Sequence, residues 1–417
     1  MEYPILVIGA GASGLAAAVS AAESGASVCV LEKKEQPLKK LLLTGNGRCN
    51  FTNRSISSNA YYTHEPAFIE RFLRRFQTED ALLFFRGLGL YPAFRGDYVY
   101  PMSMQAQSVR EALLARARAH SVNISCGVNV KDVTYDSRKK MFTVKTSSET
   151  YSCRKLILSC GSEAGVRDRE AFTADQILRK LGHRLYPVRP ALVKLLGNAG
   201  FESFWDGVRH HCIVRFVRKS DGAIFTEEGE VQFTKDGISG IPVFQISHPA
   251  GEEIDQKGKA SVRLNFIPDL GPDGLRDSLN LLKNSPYQAD RTLYDILTGF
   301  LSKKLIKAVL TQAEGMGSKK IREISDEEIR KLTELLTDFP YTVTGVGDAG
   351  SAQVMRGGAD LSEFTDDLES RIVPGLYVTG ELLDVDGKCG GYNLHFAWGT
   401  GILAGRSAAE NLSEACR

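Results

Sequence analysis

The feature that most constrains the fold lies at the N-terminus, where a short apolar run leads into a glycine-rich loop. Pro4 to Ile8 has the continuous hydrophobicity of a fully buried strand, and the loop Gly9 to Gly14 follows with GxGxxG spacing. The alanine-rich segment Leu15 to Ser24 predicts a helix, and Ser27 to Leu31 predicts a second strand that ends at Glu32. This order of elements is typical of a dinucleotide-binding βαβ unit.

Each glycine of the loop has a physical role in binding a pyrophosphate. Gly9 makes the tight turn, Gly11 lets a phosphate approach the backbone, and Gly14 lets the helix pack closely on the strand. The helix start offers free N–H groups and the positive end of a dipole. Glu32 lies roughly 20 residues beyond the loop, where a carboxylate accepts hydrogen bonds from ribose hydroxyl groups. The expected cofactor contacts in this unit also include Ala10, Ala12, Ser13 and Lys33.

The C-terminal region predicts a second contact to a long cofactor with two ends. A short apolar strand, Leu376 to Thr379, runs into Gly380 and Glu381, and an acidic residue, Asp386, precedes a helix that begins near Tyr392. One end of the chain would hold the pyrophosphate, and the other would hold the ribityl chain and the ring. The pattern therefore favours FAD over NAD. The expected contacts here also include Gly391, Asn393 and Leu394.

The start of this last helix suits the chemistry of a flavin. The N1 and C2=O region of a flavin becomes negative on reduction, and a helix N-terminus stabilises that charge without a cationic side chain. We expect the N–H groups of Tyr392 and its two successors to serve there, and Asp386 to accept from ribityl or pyrophosphate-side hydroxyl groups. His395 is expected to pack in the core rather than to take part in the reaction. For Trp398, a core position and a place in the cofactor site are equally expected.

The loop after Glu32 is the next dense segment. Between Lys39 and Asn53 the sequence KKLLLTGNGRCNFTN combines glycines, a cation and side-chain amides. Small residues allow close approach to a planar ring, and amides can bond its heteroatoms. We therefore expect cofactor contacts from Lys40, Gly47, Arg48, Cys49 and Asn50.

No residue of the sequence stands out as a catalytic acid or base. Cys49 is the weak candidate, and it could be a proton donor, a redox partner or a small packing group. Because no second cysteine lies nearby in sequence, packing is favoured. His210, His211 and Lys235 are weaker candidates still.

Three motifs together carry a resemblance to a known family. GAGASG with Glu32, TGNGRCNFTN, and GELLDVDGKCGGYN resemble the HI0933-like (YhiN/BaiN, aminoacetone oxidase) family of FAD-dependent oxidoreductases, over the whole chain. The resemblance implies an α/β fold with a FAD-binding Rossmann-like domain of the two-dinucleotide-binding-domain type and an inserted β-barrel plus helical subdomain. It also implies non-covalent FAD. Met355, Ala359 and Cys389 depart from the usual family pattern, and if these residues line the substrate side, substrate specificity does not transfer from a relative.

The same resemblance gives the expected domain boundaries. Residues 1–187 and 341–417 would form a discontinuous FAD-binding domain, and residues 188–340 an insert with a barrel (about 188–268) and helices (about 269–340). Such flavoproteins have a strand followed by glycine after an inserted β-meander, which here points to Cys160 and Gly161, and the strand near Val130 could contact adenine. The barrel would cover the flavin and form part of the substrate cavity.

Composition excludes several other classes. A net charge of +2 over 417 residues gives no nucleic-acid footprint, and eight scattered cysteines without a CxxC pattern indicate neither a metal site nor a dithiol. No apolar run reaches the ~20 residues of a membrane helix. We expect a cytoplasmic protein with a small-molecule substrate, no nucleic-acid partner and no membrane partner; the oligomeric state is open.

The expected function is oxidation or reduction of a small or medium organic molecule by a flavin. Within the family, an NAD(P)H-linked reductase and an amine oxidase are both implied activities; the alternatives are an RNA-modifying flavoprotein and a non-catalytic flavin-binding protein. Gly345, Gly347 and Gly350 repeat the GxGxxG spacing, but no clean amphipathic helix follows them. A transient NAD(P)H reductant would therefore reach the flavin without its own Rossmann domain.

Overall fold

The computed structural model describes residues 1–165 and 173–414 of the chain. It contains two compact units, Met1–Arg189 with Val354–Arg417 and Pro190–Gln353. The sequence predicts a return to the first unit at residue 341. In the structure the strand Phe339–Val346 instead belongs to the inserted unit, because it pairs with two of the barrel strands.

The α-helices follow the hydrophobic periodicity of the sequence with a few differences. Phe68 to Leu90 reads as one helix, but the chain breaks at Gln77, whose backbone N–H bonds the side chain of Asp80 and starts a new helix. The helices are α1 (Ala12–Glu23), α2 (Pro66–Arg75), α3 (Thr78–Gly87), α4 (Ala106–Ala119), α5 (Thr173–Lys180), α6 (Glu202–Trp205), α7 (Ile241–Lys257), α8 (Gly271–Lys283), α9 (Leu293–Leu297), α10 (Lys303–Gln312), α11 (Asp326–Thr337) and α12 (Tyr392–Glu414).

The β-strands range from two-residue pairings to long barrel strands. They are β1 (Glu2–Ile8), β2 (Val28–Glu32), β3 (Thr52–Asn53), β4 (Tyr61–Tyr62), β5 (Pro92–Arg95), β6 (Tyr98–Pro101), β7 (Asn123–Cys126), β8 (Val130–Asp136), β9 (Met141–Thr146), β10 (Thr150–Leu158), β11 (Leu185–Ala191), β12 (Leu195–Gly197), β13 (Arg209–Val217), β14 (Ile224–Thr234), β15 (Gly237–Ser239), β16 (Ala260–Asn265), β17 (Phe339–Val346), β18 (Val354–Ala359), β19 (Leu376–Val378) and β20 (Asp386–Gly387).

The main sheet of the first unit has the order β7-β2-β1-β10-β9-β8, with β19 also paired to β10. Strands β7, β2, β1, β10 and β19 run parallel, and β9 and β8 continue antiparallel. Strand β7 pairs with β2 and not with the antiparallel strands β8 and β9 that follow it, because α4 supplies the long crossover that a parallel neighbour needs. The predicted Rossmann-like fold class is confirmed.

Helices α1 and α12 pack closely against each other next to the glycine loop. A side chain at Gly401 would put its Cβ 2.3 Å from the carbonyl oxygen of Ser13, and one at Gly405 would lie 2.2 Å from that of Ala17. Only glycine permits such an approach of two backbones. The C-terminal helix thereby reaches the first turn of α1.

The second unit is built on a closed barrel with the order β12-β15-β14-β13-β16-β17. Its core contains the aromatic rings of Trp205, Phe233 and Phe339, and helices α8 to α11 supply further apolar side chains to the same cluster. Gly345 lies on β17, and the residues after it form a turn and bends rather than a helix. The helices of the described residues include none with the length and hydropathy that crossing a membrane requires.

Candidate functional site

The parallel strands of the first unit gather the predicted nucleotide contacts at one edge. The carboxyl ends of β2, β1, β10 and β19 are neighbours in the sheet, so Glu32, Gly9, Gly161 and Gly380 follow adjacent strands. Thr379 and Ser159 join two of these ends by a hydroxyl–hydroxyl hydrogen bond of 2.6 Å. In open α/β sheets, ligands bind outside the carboxyl ends of the strands.

The glycine loop has close contacts at two positions and open space at the third. A Cβ on Gly14 would lie 1.9 Å from the carbonyl oxygen of Gly9, and one on Gly9 would lie 2.4 Å from that of Ser159. A Cβ on Gly11 would meet nothing within 4 Å. Gly11 is also the N-cap of α1, and no side chain among the described residues caps that helix. The first-turn N–H groups therefore face a space that an anion can enter.

Glu32 lies beside this loop as the second strand predicts. Its Oε2 accepts a hydrogen bond of 2.7 Å from the backbone N–H of Ala10, and its Oε1 accepts one of 2.8 Å from Lys34. The backbone bonds fix the carboxylate at the end of β2. A carboxylate has more lone pairs than these two bonds use, so it retains acceptor capacity for a hydroxyl group.

Glu381 is the second carboxylate at this edge, and it borders an open cleft. Its Oε2 lies 2.7 Å from the Lys40 ammonium and 3.1 Å from the hydroxyl of Ser162. Burial raises the pKa of Asp175, on the same cleft. The cleft has a cavity volume of about 90 Å³ and is lined by Gly161, Ser162, Glu163, Asp175, Val188, Gly358, Glu381 and Leu382.

The two segments predicted to contact the flavin ring meet in space. Asn53 donates a 2.9 Å hydrogen bond from Nδ2 to the carbonyl oxygen of Gly390. Gly391 has φ +97°, and a Cβ there would lie 2.5 Å from the carbonyl oxygen of Thr52 and 2.9 Å from Oδ1 of Asn50. The loop that ends at Asn53 and the turn before α12 therefore lock together, and only glycine fits the interface.

Asn393 fixes the approach to α12 through its side chain. Its Oδ1 accepts from the backbone N–H of Gly387 at 2.7 Å, and its Nδ2 donates to the carbonyl oxygen of the same glycine at 2.8 Å. Asp386 is buried and lies in the short β20, paired with β4. Tyr392, Asn393 and Leu394 form the first turn of α12.

Cys49 has the burial expected of a packing residue. The side chain is fully buried, and burial raises the pKa of its thiol to about 12. The protonated thiol is a poor nucleophile and a poor metal ligand. Cys160, beside the glycine loop, is similar: burial raises the pKa of its thiol to about 12.

The histidine on α12 is also structural. His395 is fully buried between the hydroxyl of Thr52, at 2.9 Å from Nδ1, and the carbonyl oxygen of Phe76, at 3.2 Å from Nε2. Burial lowers its pKa to about 4, so it is neutral near pH 7. Trp398 is buried as well and donates from Nε1 to the carbonyl oxygen of Phe51. Both side chains lie in the buried core next to the loop that ends at Asn53.

The remaining predicted contacts lie away from these close groupings. Lys33, Gly47 and Arg48 are exposed. Val130 begins β8, which β9 separates from β10. These four residues stay predictions, as do all the other predicted cofactor contacts. His210, His211 and Lys235 belong to the barrel unit.

The donor set suits an extended dinucleotide. The open space at Gly11 and the uncapped start of α1 fit a pyrophosphate, and the acceptors of Glu32 fit a ribose. The start of α12 offers a second set of helix N–H groups, which suit the other end of the cofactor. These features are typical of a dinucleotide-binding fold.

The comparisons with known proteins agree with that class. The model of the HI0933-like protein Rossmann domain matches residues 3–407, and the chain belongs to this family. The resemblance found in the motifs is thus confirmed. A 3-ketosteroid delta1-dehydrogenase structure from Sterolibacterium denitrificans superposes with a TM-score of 0.55 at 14% identity, over 98% of this chain and 100% of that chain. At this identity the match shows the fold alone.

Two curated relatives cover nearly the whole chain. The 3-dehydro-bile acid delta(4,6)-reductase of Clostridium scindens is 38% identical over 97% of this chain and 98% of its own length. The ribosomal RNA dihydrouridine synthase of Escherichia coli is 28% identical over 95% of this chain and 96% of its own. The protein is a FAD-dependent oxidoreductase.

Proposed function

We propose that the protein reduces a carbon–carbon double bond conjugated to a carbonyl group in a small or medium organic substrate. NAD(P)H is the proposed source of electrons. The observation that carries this proposal is the 38% identity, over almost the full length of both chains, to a bile acid reductase.

The chemistry of the relatives supports this reaction class. The name of the first relative describes reduction of double bonds in a 3-keto steroid acid, and dihydrouridine is uridine whose C5=C6 bond, conjugated to a carbonyl, is saturated. Both names therefore describe addition of a hydride and a proton across an activated alkene. The reaction type is shared, although the substrates differ greatly in size.

Different residues of the site would bind different parts of FAD. The glycine loop and the first turn of α1 would bind the pyrophosphate, and Glu32 the ribose. The first turn of α12 would lie against the pyrimidine side of the ring, where its N–H groups stabilise negative charge. When bound, FAD supplies the hydride transfer itself.

Two carboxylates that were predicted as cofactor contacts would bind the middle part of FAD. Glu381, held by Lys40, lies at the edge between the two helix starts, and Asp386 lies on the ribbon that precedes α12. Both suit the hydroxyl groups of a ribityl chain. The N–H groups and small residues of the loop that ends at Asn53 suit the ring.

Ribosomal RNA is the second candidate substrate. It is favoured by the dihydrouridine synthases of Escherichia coli and Haemophilus influenzae, at 28% and 27% identity over most of this chain. The net charge of +2 argues for the smaller substrate, because RNA-binding proteins need an excess of cations for the phosphates.

The test is anaerobic reduction followed by a choice of acceptors. The purified protein with FAD is reduced by NADH or NADPH in a stopped-flow instrument, and then mixed with a conjugated 3-keto steroid acid or with ribosomal RNA that lacks dihydrouridine. We expect the flavin absorption to bleach and to return rapidly with the steroid. Return with RNA alone would select the second candidate, and return with neither acceptor would overturn the reaction class.

A further inference from the structure

A histidine–carboxylate pair lies outside the cofactor contacts described above. Nδ1 of His64 is 2.8 Å from Oδ2 of Asp384, and the same oxygen accepts a 2.9 Å hydrogen bond from the backbone N–H of His64. The two partners differ in burial: 55% of the His64 side chain is exposed, but only 5% of the Asp384 side chain. A buried acceptor thus holds one ring nitrogen of a side chain that remains more than half exposed.

The pairing of two short strands places this histidine opposite the carboxylate. Asp386 pairs with Tyr62 in the antiparallel ribbon of β20 and β4. Extending this register two residues beyond the end of the ribbon puts Asp384 opposite His64, in agreement with the hydrogen bonds between the two residues. Asp384 is also fixed by a 3.0 Å bond from its N–H to the carbonyl oxygen of Ala359.

An aromatic ring holds the imidazole from one face. The rings of Tyr186 and His64 are stacked, with centroids 3.7 Å apart and an angle of 5° between their planes. Arg184 lies 6.0 Å from the Tyr186 ring and pairs with the buried Asp360. The imidazole therefore has a fixed plane, and its Nδ1 has a fixed partner.

The ribbon connects this histidine to the proposed ring side of the cofactor site. Asp384 is two residues from Asp386, about 7 Å along an extended chain. Gly387, the next residue of β20, is clamped by Asn393 in the first turn of α12. His64 thus lies next to the β4–β20 ribbon, which leads into the first turn of α12.

The other histidines lack this combination of features. His183 bonds Glu363 through Nδ1 and Ser370 through Nε2, but its side chain is fully buried. His211 pairs with Glu228, but both side chains are more than half exposed, so the ring is not held. Of the seven histidines, all within the described residues, His64 is the one that joins an exposed ring to a buried carboxylate.

We propose that His64 delivers the proton to the substrate during reduction, with Asp384 and Tyr186 as its positioning residues. This inference rests on the proposed reduction of a conjugated alkene. Histidine is the side chain best suited to give and regain a proton near neutral pH, and a carboxylate on Nδ1 fixes the tautomer and the direction of Nε2.

The step balances with the electrons that reduced FAD provides. Hydride adds at the β-carbon of the conjugated bond, and the π electron pair moves to the α-carbon and the carbonyl oxygen. The N–H bond at Nε2 of the imidazolium then breaks, and a C–H bond forms at the α-carbon. The neutral imidazole regains its proton from water, and NAD(P)H restores the reduced flavin.

The test separates the two half-reactions in a set of variants. His64→Gln removes the proton donor, Asp384→Asn changes its partner, and His211→Gln is a matched control at an exposed histidine–carboxylate pair of the barrel. In His64→Gln we expect unchanged FAD content and unchanged flavin reduction by NAD(P)H, with reoxidation by the conjugated 3-keto steroid slowed on the order of 10²-fold or more. His211→Gln should match the wild type in both half-reactions.

Two further readouts distinguish proton delivery from a purely structural role. First, the pH profile of reoxidation should differ between the wild type and His64→Gln; Asp384, Glu65, Arg184 and Asp360 are the charged groups near the stacked Tyr186 ring, so the profile of Asp384→Asn is recorded as well. Second, nitrogen-15 NMR of the oxidised protein should show the Nε2 resonance of His64 move when the saturated ketone product is added.

The outcomes separate the inference from the proposed function. A wild-type protein that reduces no conjugated ketone would overturn both. Wild-type turnover with His64→Gln equally fast, or an Nε2 resonance that ignores the product, would overturn the inference alone. If His64→Gln loses FAD or melts earlier than the wild type, His64→Asn with added imidazole decides: restored reoxidation supports proton delivery, and no restoration contradicts it.

Discussion

Two stretches of the chain share the GxGxxG spacing but have different structures. Gly9 to Gly14 connects a parallel strand to α1, and a Cβ added to its glycines would either lie within 2.4 Å of a backbone oxygen or enter open space. Gly345 to Gly350 begins on a strand of the closed barrel and continues into a turn. A Cβ on Gly345 would meet only ordinary contacts, 3.5 Å from the Leu196 side chain.

The difference shows which part of the motif carries the nucleotide site. Spacing alone does not create a phosphate site, because the N–H groups that bind a phosphate come from the helix start behind the loop. The first motif has that helix, and its strand lies between two parallel neighbours. The second has an antiparallel barrel strand, so the predicted lack of a separate Rossmann domain there agrees with the structure.

The largest contrast is expected from an alanine at the closest contact. Gly14→Ala would place a Cβ 1.9 Å from the carbonyl oxygen of Gly9, so α1 must move off β1. Overpacking of this kind costs about 1–3 kcal/mol or more. We expect a lower melting temperature and a lower yield of folded protein, measured by thermal unfolding and gel filtration. Gly345→Ala should change the unfolding free energy by less than about 0.5 kcal/mol. An unchanged melt in Gly14→Ala would contradict the close packing.

The next effect is acid sensitivity of the unit that holds the first motif. The pKa of His395 is lowered from 6.5 to about 4 by burial. Between these values the unfolded chain takes up a proton that the folded chain refuses, so stability is complete above pH 6.5 and falls as the pH drops towards 4. The expected loss is about 3 kcal/mol from this group, measured by urea unfolding across that range.

A comparison of His395→Gln with His211→Gln shows whether His395 causes this loss of stability. The buried variant should have a flatter dependence of unfolding free energy on pH, although it is less stable at neutral pH because two hydrogen bonds are changed. The exposed barrel variant should keep the wild-type dependence. Equal slopes in all three proteins would show that another group controls the acid limb.

The smallest effect is expected at Cys49. Its buried thiol, with a pKa raised to about 12, stays protonated during turnover. Cys49→Ala should therefore change flavin reoxidation far less than the 10²-fold typical of a lost general acid. Alkylation with iodoacetamide should be slow in the folded protein and rapid in urea. A reoxidation rate reduced to the level expected for a lost general acid would make Cys49 catalytic.

Much of the first unit could be predicted because its signals are local. The strand, loop, helix and acid at the N-terminus lie in one continuous segment, and the sequence predicts the start of α12 near Tyr392, where the structure has it. Residue type at each position is dictated by backbone geometry, as at Gly9 and Gly14. Such constraints are visible in a single sequence.

The rest depends on contacts between distant residues. The sequence predicts that Asn393 acts through its N–H, but its side chain also clamps Gly387, and His64 pairs with Asp384 at a separation of 320 residues. The spacing of Gly401 and Gly405, four residues apart on a helix, is a signal for close helix packing that the sequence does offer. The sixth barrel strand follows the helical segment, so its place in the barrel has no local signal.

The central claim, that FAD is held by the first motif and not by the second, is tested most directly by one pair of variants. FAD binding to apoprotein is measured by flavin fluorescence for wild type, Gly11→Ala and Gly345→Ala. The Cβ of Gly11→Ala enters open space, so we expect an unchanged apoprotein melt with FAD bound at least about tenfold more weakly, because the methyl group occupies the phosphate approach. Gly345→Ala should bind FAD as the wild type does. Equal affinity in Gly11→Ala, or weakened affinity in Gly345→Ala, would contradict the account.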